Sequence, residues 1–254
     1  MMEAYTSTEL LSVMASRQMK GRNTIFAGVG IPLLAAILAK QTHTPGLTIV
    51  VEGGSIGPQV IPGRLPISTN EMRIAHRAQM LVGINDIFLL TQRGFLEVGF
   101  MGGAQIDQHG NVNTTVVGTY DHPKVRLPGS GGANDIISLC RETILVTVHE
   151  KRRFVPKVDF VTSPGFLDGG ESRIDSGLVF GGVTRVVTDL CLMGFDPTTK
   201  RATLESLHPE VELDQVLENT GFELLVPDEI PHTEPPTSEE LRTLRTLDPE
   251  MRYL

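Results

Sequence analysis

The chain has 254 residues and a net charge of -8, with 40% hydrophobic and 20% charged residues. This length suits one large domain or two small ones, and the acidic balance argues against a nucleic-acid binder, which is usually basic. No apolar run is long enough to span a bilayer, so we expect no membrane segment.

The cysteines and the first residues indicate the compartment. Cys140 and Cys191 both lie in apolar surroundings and lack metal-ligand spacing, which is typical of buried thiols in a reduced protein. The start, Met1 to Ala4, lacks the basic residues and apolar stretch of a signal peptide. We therefore expect a cytoplasmic protein without a metal site.

The N-terminal part of the chain predicts a helix followed by half of a βαβ unit. Thr6 and Glu9 form a capping-box pattern that opens a helix to about Lys20. A short strand over 24–29 then turns into a helix over 31–40, which has a proline near its start.

Gly28 and Gly30 form the turn between this strand and the helix. The pair could cradle a phosphate at the helix N-terminus. It lacks the third glycine of the dinucleotide fingerprint, and a plain tight turn is the alternative interpretation.

The stretch from Leu47 to Gly54 completes the unit. Its apolar and β-branched residues from Leu47 to Val51 predict a strand buried on both faces. Glu52 follows the strand directly, at the edge of a parallel sheet where ligands bind. Gly53 and Gly54 would let a ligand approach the backbone closely, although an acid solvated in a turn would fit the same pattern.

The remaining chain alternates between helix and strand patterns. Residues 227–254 form a Pro-rich segment and a C-terminal helix that we expect to pack on the rest. The fold class predicted for residues 1–254 is a single α/β domain with an open, mostly parallel central sheet, flanking helices and an antiparallel excursion. Further helices are predicted at 70–78, 81–93, 135–140 and 213–220, strands at 98–102, 111–117, 143–148, 158–162 and 185–188, and a hairpin turn at 195–201.

Three features together suggest an acyl-transfer site: the strand-end Glu52, the amides Gln105, Asn111 and Asn113, and the glycine loop 129–132. A carboxylate nucleophile, a positioning amide and free backbone donors are the parts that such a site needs. A flexible connection would also explain the glycine loop. No nucleophile elbow competes.

The histidines do not form a competing site. They are scattered without metal-ligand spacing, and each is expected to be structural or on the surface. The run 149–154 is rich in basic residues and fits either an anion contact or a solvated face.

Several blocks resemble the family I CoA-transferases, in particular the B (beta) subunits of glutaconate and 3-oxoadipate CoA-transferases. The resemblance covers nearly the whole chain. Its blocks are Gly102-Gly103-Ala104-Gln105-Ile106-Asp107, Gly110-Asn111-Val112-Asn113-Thr114-Thr115, His122-Pro123-Lys124, Gly129-Ser130-Gly131-Gly132-Ala133-Asn134, His149-Glu150-Lys151-Arg152-Arg153-Phe154, Val161-Thr162-Ser163-Pro164-Gly165 and Glu218-Asn219-Thr220-Gly221-Phe222.

The resemblance implies ping-pong transfer of CoA between an acyl-CoA and a small (di)carboxylic acid through a glutamyl-CoA thioester on Glu52. Asn113 and the backbone N–H groups of Gly131 and Gly132 would stabilise the oxyanions. Coenzyme A would be a substrate, transiently covalent on Glu52, and no other cofactor is implied. The expected substrate- and CoA-binding residues are Gly28, Gly30, Gly53, Gly54, Gln105, Asn111 and Asn134.

The family also implies a partner: a similar A (alpha) subunit, in a heterodimer or a higher heteromer such as A2B2, with the active site at their interface. One residue departs from the pattern, because many members carry Ser or Asn near the nucleophile where this chain has Gly53.

Two alternatives accompany this interpretation. A hydrolase or decarboxylase of CoA esters could use the same scaffold, although the decarboxylase and ring-opening hydrolase members lack the glutamate. A non-catalytic ligand-binding relative, as in sugar-sensing regulators, would need a DNA-binding segment. The roughly twenty residues before the first strand are too few for one.

Overall fold

Helices and strands are interspersed along the chain, as in other α/β proteins. The computed structural model describes residues 4–254, so Met1 to Glu3, where no signal-peptide start was expected, lie outside the described residues. The helices are α1 (Ser7–Arg17), α2 (Ile31–Gln41), α3 (Ile84–Gln92), α4 (Ala133–Leu139), α5 (Ser172–Asp175), α6 (Leu213–Glu218) and α7 (Ser238–Leu247). The strands are β1 (Thr24–Ala27), β2 (Thr48–Val50), β3 (Ser55–Ile56), β4 (Met80–Leu81), β5 (Val98–Met101), β6 (Gln105–Ile106), β7 (Val112–Asn113), β8 (Val116–Gly118), β9 (Pro123–Arg126), β10 (Glu142–Val146), β11 (Val183–Val187), β12 (Cys191–Phe195) and β13 (Ala202–Leu207).

The first of two compact units comprises the chain up to Met101 together with Pro235–Leu254. Its strands run in the order β5-β1-β2-β3-β4. β1 pairs in parallel with both β2 and β5, whereas β3 and β4 extend the sheet in antiparallel fashion. The carboxyl ends of β1, β2 and β5 therefore share one edge, which is where ligand sites of parallel sheets form.

Helices α1, α2 and α7 pack together in this unit. Thr6 caps α1 with the predicted capping box, and Thr237 caps α7 in the same way. Two ion pairs connect α1 with α7: Arg17 bonds to Glu240 at 2.8 Å, and the buried Glu9 bonds to Arg245 at 2.6 Å. Desolvation by burial raises the pKa of Glu9 and of Glu240, but their hydrogen bonds and the nearby arginines lower it more. Both pKa values therefore lie below the ordinary value.

The second unit comprises Gly102–Glu234. Its larger set of strands runs in the order β13-β12-β11-β10. β10 and β11 are parallel, and β11, β12 and β13 are antiparallel, with the predicted hairpin turn between β12 and β13. Two small hairpins, β6-β7 and β8-β9, complete the unit. These pairings confirm the predicted α/β class with its antiparallel excursion.

Three local predictions were wrong. Residues 158–162 form no strand, because the Asp159 N–H bonds to a side-chain oxygen of Gln105 instead of a neighbouring strand. The helix predicted over 70–78 is only a 3₁₀ turn at Met72–Ala75. The strand over 111–117 splits into β7 and β8, because Asn113 bonds to the backbone of Thr115 and Val116 and bends the chain.

No helix in the described part of the chain, residues 4–254, is long and apolar enough to cross a membrane.

Candidate active site

Glu52 lies at the tip of the β2-β3 hairpin. The Gly54 N–H donates to the Val51 carbonyl at 3.0 Å, so Glu52 and Gly53 are the two central residues of a β-turn. The Val51 N–H in turn donates to the Ser55 carbonyl at 3.0 Å. This segment is called the Glu52 turn below (Val51–Gly54), and its backbone is fixed by its own hydrogen bonds.

The Glu52 carboxylate is available for contacts outside the described part of the chain. It is half-buried, and it makes no hydrogen bond or ion pair with any residue from 4 to 254. An ionised carboxylate in this state keeps its oxygen lone pairs available for attack on an electrophile. The turn therefore combines a fixed backbone with a carboxylate that is available for reaction.

Both glycines of the turn are required by close packing. A Cβ on Gly53 would collide with the Thr69 carbonyl oxygen and would lie 2.7 Å from Oδ1 of Asn70. Gly54 has φ +98°, and its Cβ would collide with the Val82 carbonyl oxygen. Gly53 therefore fits this chain because the segment at Thr69 packs directly on the turn.

Gly28 and Gly30 lie at the carboxyl end of β1, on the same sheet edge as the Glu52 turn. The Gly28 N–H already donates to the Phe100 carbonyl at 3.2 Å. Gly30 precedes α2 with φ +84°, and a Cβ there would lie 3.8 Å from the Tyr253 ring. The tight-turn interpretation accounts for both glycines. The Gly28 N–H already has an acceptor, and Gly30 has a positive φ, which favours glycine.

In the second unit, Gln105 and Asn113 face each other across the β6-β7 hairpin. The Asn113 amide donates to Gln105 Oε1 and to the Val116 carbonyl, each at 2.6 Å. Its oxygen accepts from the N–H groups of Thr115 at 2.9 Å and Val116 at 3.2 Å. Asn113 is 0% exposed, so both of its amide hydrogens serve the fold.

Asp159 and Thr162 complete this group, called the amide cluster below (Gln105, Asn113, Asp159 and Thr162). Gln105 donates to Asp159 Oδ2 at 3.0 Å, and the Thr162 hydroxyl donates to the Asn113 oxygen at 3.4 Å. No motif in the sequence marks Asp159 or Thr162 as a site residue, and nothing in their local sequence separates them from ordinary loop residues. Only their hydrogen bonds with Gln105 and Asn113 identify them.

Asn111 belongs to a different contact set. Its amide donates to the Asp107 carboxylate and to the Leu167 carbonyl, and its oxygen accepts from the N–H groups of Gly165 and Leu167 at 3.0 Å each. Burial raises the pKa of Asp107 above its ordinary value although the Asn111 and backbone hydrogen bonds lower it. Asn111 thus fastens the turn before β7 to the loop around Leu167.

The glycine loop before α4 keeps free backbone donors. The Gly129 N–H bonds to the Thr114 carbonyl at 2.8 Å, and the Ala133 N–H bonds to the Ser130 carbonyl at 2.9 Å. The N–H groups of Gly131 and Gly132, by contrast, have no partner among residues 4–254. Two adjacent free donors can stabilise an oxyanion.

Asn134 lies on α4, next to this loop. Its amide donates to the Thr162 carbonyl at 2.9 Å. The loop and the amide cluster are therefore joined through Thr162, within the second unit.

The run 149–154 divides into a buried and an exposed part. His149 is buried, and its ring nitrogens lie 3.1 Å from Thr188 Oγ1 and 3.0 Å from Thr220 Oγ1. Burial lowers the pKa of His149 to about 4, with a smaller contribution from His208. Arg152 and Arg153 both pair with Glu150. The imidazole is a neutral structural group here, as expected for an isolated histidine.

Burial raises the pKa of Cys140 and of Cys191 to about 12, so both thiols are inert at neutral pH. Among residues 4–254, no group of three or more His, Cys, Asp or Glu side chains is arranged to hold a metal ion.

Comparison with known proteins gives a consistent result. A family model described as Coenzyme A transferase matches residues 8–219. The chain is 40% identical to the B (beta) subunit of 3-oxoadipate CoA-transferase from Pseudomonas knackmussii, over 97% of this chain and 95% of that protein. It is 37% identical to the B (beta) subunit of glutaconate CoA-transferase from Acidaminococcus fermentans, over 98% and 95%. The crystal structure of glutaconate coenzyme A-transferase from A. fermentans superposes with a TM-score of 0.92 at 36% identity, covering 98% of this chain and 97% of that one.

Proposed function

The chain belongs to the coenzyme A transferase family, as a B (beta) subunit, and from this premise we propose that it transfers coenzyme A between an acyl-CoA and a small (di)carboxylic acid. Glutaconate and 3-oxoadipate, which are named for two similar proteins, are the acids to test first. Because the relatives are B subunits, the proposal includes an A subunit as partner, in a heterodimer or an A2B2 assembly.

In the proposed reaction Glu52 is the nucleophile. A Glu52 carboxylate oxygen bonds to the thioester carbon and the carbon–sulfur bond breaks, which gives an acyl-glutamyl anhydride and CoA thiolate. The thiolate sulfur bonds to the glutamyl carbonyl carbon, and the donor acid leaves as its carboxylate. An acceptor carboxylate then attacks the glutamyl-CoA thioester, and the same two steps in reverse form the new acyl-CoA.

An oxyanion forms on the glutamyl carbon during this exchange. Adjacent backbone donors such as the N–H groups of Gly131 and Gly132, which have no partner among residues 4–254, can stabilise an oxyanion, and removing one such donor typically costs about 10²–10³ in rate. Asn113 is assigned a positioning role, since donation to an oxyanion would require breaking one of its two 2.6 Å hydrogen bonds. Asn113 instead holds the chain at Thr115 and Val116.

The observation that carries the proposal is the Glu52 carboxylate, which has no partner among residues 4–254, on a rigid turn at the carboxyl edge of parallel strands. The purified complex with its A subunit, incubated with acyl-CoA alone, should carry a CoA-sized mass adduct on the Glu52 peptide. Glu52→Gln should abolish the adduct and the transfer, whereas Glu229→Gln, which changes an exposed glutamate, should preserve both. Activity that persists without any adduct would rule out the covalent route.

Hydrolysis or decarboxylation of a CoA ester is the alternative on this scaffold. The same incubation separates these activities, because a transferase releases little free acid until an acceptor carboxylate is added. Continuous release of CoA thiol or of carbon dioxide without an acceptor would favour the alternative.

A further inference from the structure

A cleft of about 530 Å³ lies in the first unit, between the turn at residues 61–64 and the segment that leads into β4. Its wall combines apolar side chains with cationic or hydrogen-bonding ones. The apolar residues are Ile61, Met72 and Leu81, and the polar ones are Arg64, Arg73 and His76.

Arg64 provides an unoccupied cation. It is exposed, and its guanidinium makes no hydrogen bond or ion pair with any of the described residues. Arg73, by contrast, pairs with Glu71 and also donates to the Leu65 carbonyl at 3.2 Å. The His76 ring likewise has no partner among residues 4–254 and offers a second donor.

Charge in this region is opposite to that of the whole chain. Residues 57–82 contain three arginines, Arg64, Arg73 and Arg77, and a single acid, Glu71, whereas the chain carries a net charge of -8. A local surplus of positive charge attracts anionic ligands toward the cleft.

The turn that carries Arg64 is anchored. The Arg64 N–H donates to the Ile61 carbonyl at 2.9 Å, and the Gly63 N–H donates to the carbonyl of Leu247, at the end of α7, at 3.0 Å. Leu65, directly after Arg64, is buried. Because the backbone on both sides of Arg64 is fixed, the guanidinium is presented with little conformational freedom in the main chain.

One wall of the cleft is connected to the Glu52 turn through backbone hydrogen bonds. Leu81 belongs to β4, which pairs with β3, and β3 follows the turn directly. The Val82 N–H donates to the Gly54 carbonyl at 3.0 Å. The wall of the cleft and the proposed nucleophile therefore share one hydrogen-bonded sheet edge.

We propose that this cleft binds the free carboxylate of a dicarboxylic acyl group, with Arg64 as the principal donor and the carbon chain against Met72 and Leu81. The inference rests on the proposed function and adds a residue that sets substrate class. Guanidinium suits a carboxylate, which it can bind through two parallel hydrogen bonds. Apolar walls beside Arg64, whose guanidinium has no partner among the described residues, fit a short carbon chain with one terminal charge better than the several charges of the CoA phosphates.

The test compares two acyl-CoA esters of equal chain length. Glutaryl-CoA ends in a carboxylate, and pentanoyl-CoA ends in a methyl group. With the A·B complex, Arg64→Met should lower the ratio of kcat/KM for glutaryl-CoA to kcat/KM for pentanoyl-CoA by about 10- to 100-fold, the range for a charged hydrogen bond. Arg64→Lys should lower it less, and Arg242→Met, an exposed arginine on α7, should not change it.

An unchanged ratio in Arg64→Met would overturn the assignment. If Arg64 instead bound the CoA phosphates, Arg64→Met would lower kcat/KM for both esters equally. Glutaryl-pantetheine, which lacks these phosphates, would then react equally well with wild type and variant. Calorimetry that measures the binding of both esters to the Glu52→Gln complex, with and without Arg64→Met, tests without turnover whether Arg64 binds the terminal carboxylate. If the wild-type complex bound glutaryl-CoA in an Arg64-dependent manner but transferred no CoA, the proposed function would be contradicted and the assignment of Arg64 would stand.

Discussion

The Glu52 turn and the amide cluster use their polar side chains in opposite ways. In the turn the backbone is held by its own hydrogen bonds, and the carboxylate has no partner among the described residues. In the amide cluster the side chains supply the hydrogen bonds, and Asn113 has neither a free amide hydrogen nor any exposure. The turn therefore leaves its carboxylate available for other contacts, whereas the amide cluster uses its side chains to hold the fold.

This difference separates residues that look equivalent in the sequence. Glu52, Gln105 and Asn113 are all polar residues beside short strands, and all are candidates for the same site. Their partners differ: Glu52 has no hydrogen bond with any described residue, whereas the amides bond to each other and to the backbone. Variants that change either stability or rate therefore test whether the two regions differ in this way.

The largest expected effect is on stability, from Asn113→Leu. Leucine copies the branched shape of asparagine with larger methyl groups, and it leaves the N–H groups of half-buried Thr115 and buried Val116 without their acceptor. Each unsatisfied buried group costs about 1–3 kcal/mol, so the free energy of unfolding should fall by about 4 kcal/mol. Urea denaturation of the full chain measures this.

Asn219→Ala is the matched control, because the Asn219 amide makes an exposed bond to the Gln215 carbonyl. It should change stability by less than about 0.5 kcal/mol. Normal stability of Asn113→Leu combined with a large loss of rate would contradict the comparison, since it would place Asn113 in the chemistry.

Glu52→Asp should show the reverse pattern. The substitution withdraws the carboxylate by one methylene while the backbone hydrogen bonds of the turn stay intact. A displacement of about 1 Å can cost about 10²-fold in rate, and the unfolding curve should not move. Steady-state transfer by the A·B complex provides the measurement, and wild-type kcat in Glu52→Asp would mean that the carboxylate position is not limiting.

A third effect concerns pH, in the second unit. His149 is neutral in the folded chain because burial lowers its pKa to about 4, whereas the unfolded chain takes up a proton near its ordinary value, about 6.5. The unfolded state therefore binds more protons as the pH falls, and His149 contributes its full stability only above about pH 6.5. Between pH 7.5 and pH 5 the loss should be about 2 kcal/mol, increasing toward pH 4.

Urea denaturation across this range tests the assignment. His149→Gln should lack about 2 kcal/mol of the pH dependence, and His122→Gln, at an exposed histidine, should retain it. The window above pH 5 avoids the carboxylates Glu9 and Glu240, whose lowered pKa values act below it. Equal slopes in both variants would assign the pH dependence to another group.

Much of the fold could be predicted because its signals are local. The capping boxes at Thr6 and Thr237 locate α1 and α7, and the β-branched run before Glu52 locates β2. Residues 158–162 show the limit, since their composition favours a strand but the Gln105 side chain takes the Asp159 N–H. The hydrogen-bond partners of the site candidates could not be predicted, because whether Asn113 has a free amide hydrogen depends on Gln105 and Val116.

The smallest effect, from Gly53→Ser, tests how rigid the turn is. The serine Cβ would collide with the Thr69 carbonyl oxygen, so either the turn or the segment at Thr69 must move. Overpacking of this kind costs about 1–3 kcal/mol, and a displaced turn should also lower kcat, although less than Glu52→Asp does. Gly46→Ser is the matched control, because a Cβ at Gly46 meets nothing within 4 Å. If Gly53→Ser unfolds at the same urea concentration as Gly46→Ser and keeps its kcat, the Thr69 segment yields freely, and the rigidity assigned to the Glu52 turn comes from its backbone hydrogen bonds alone.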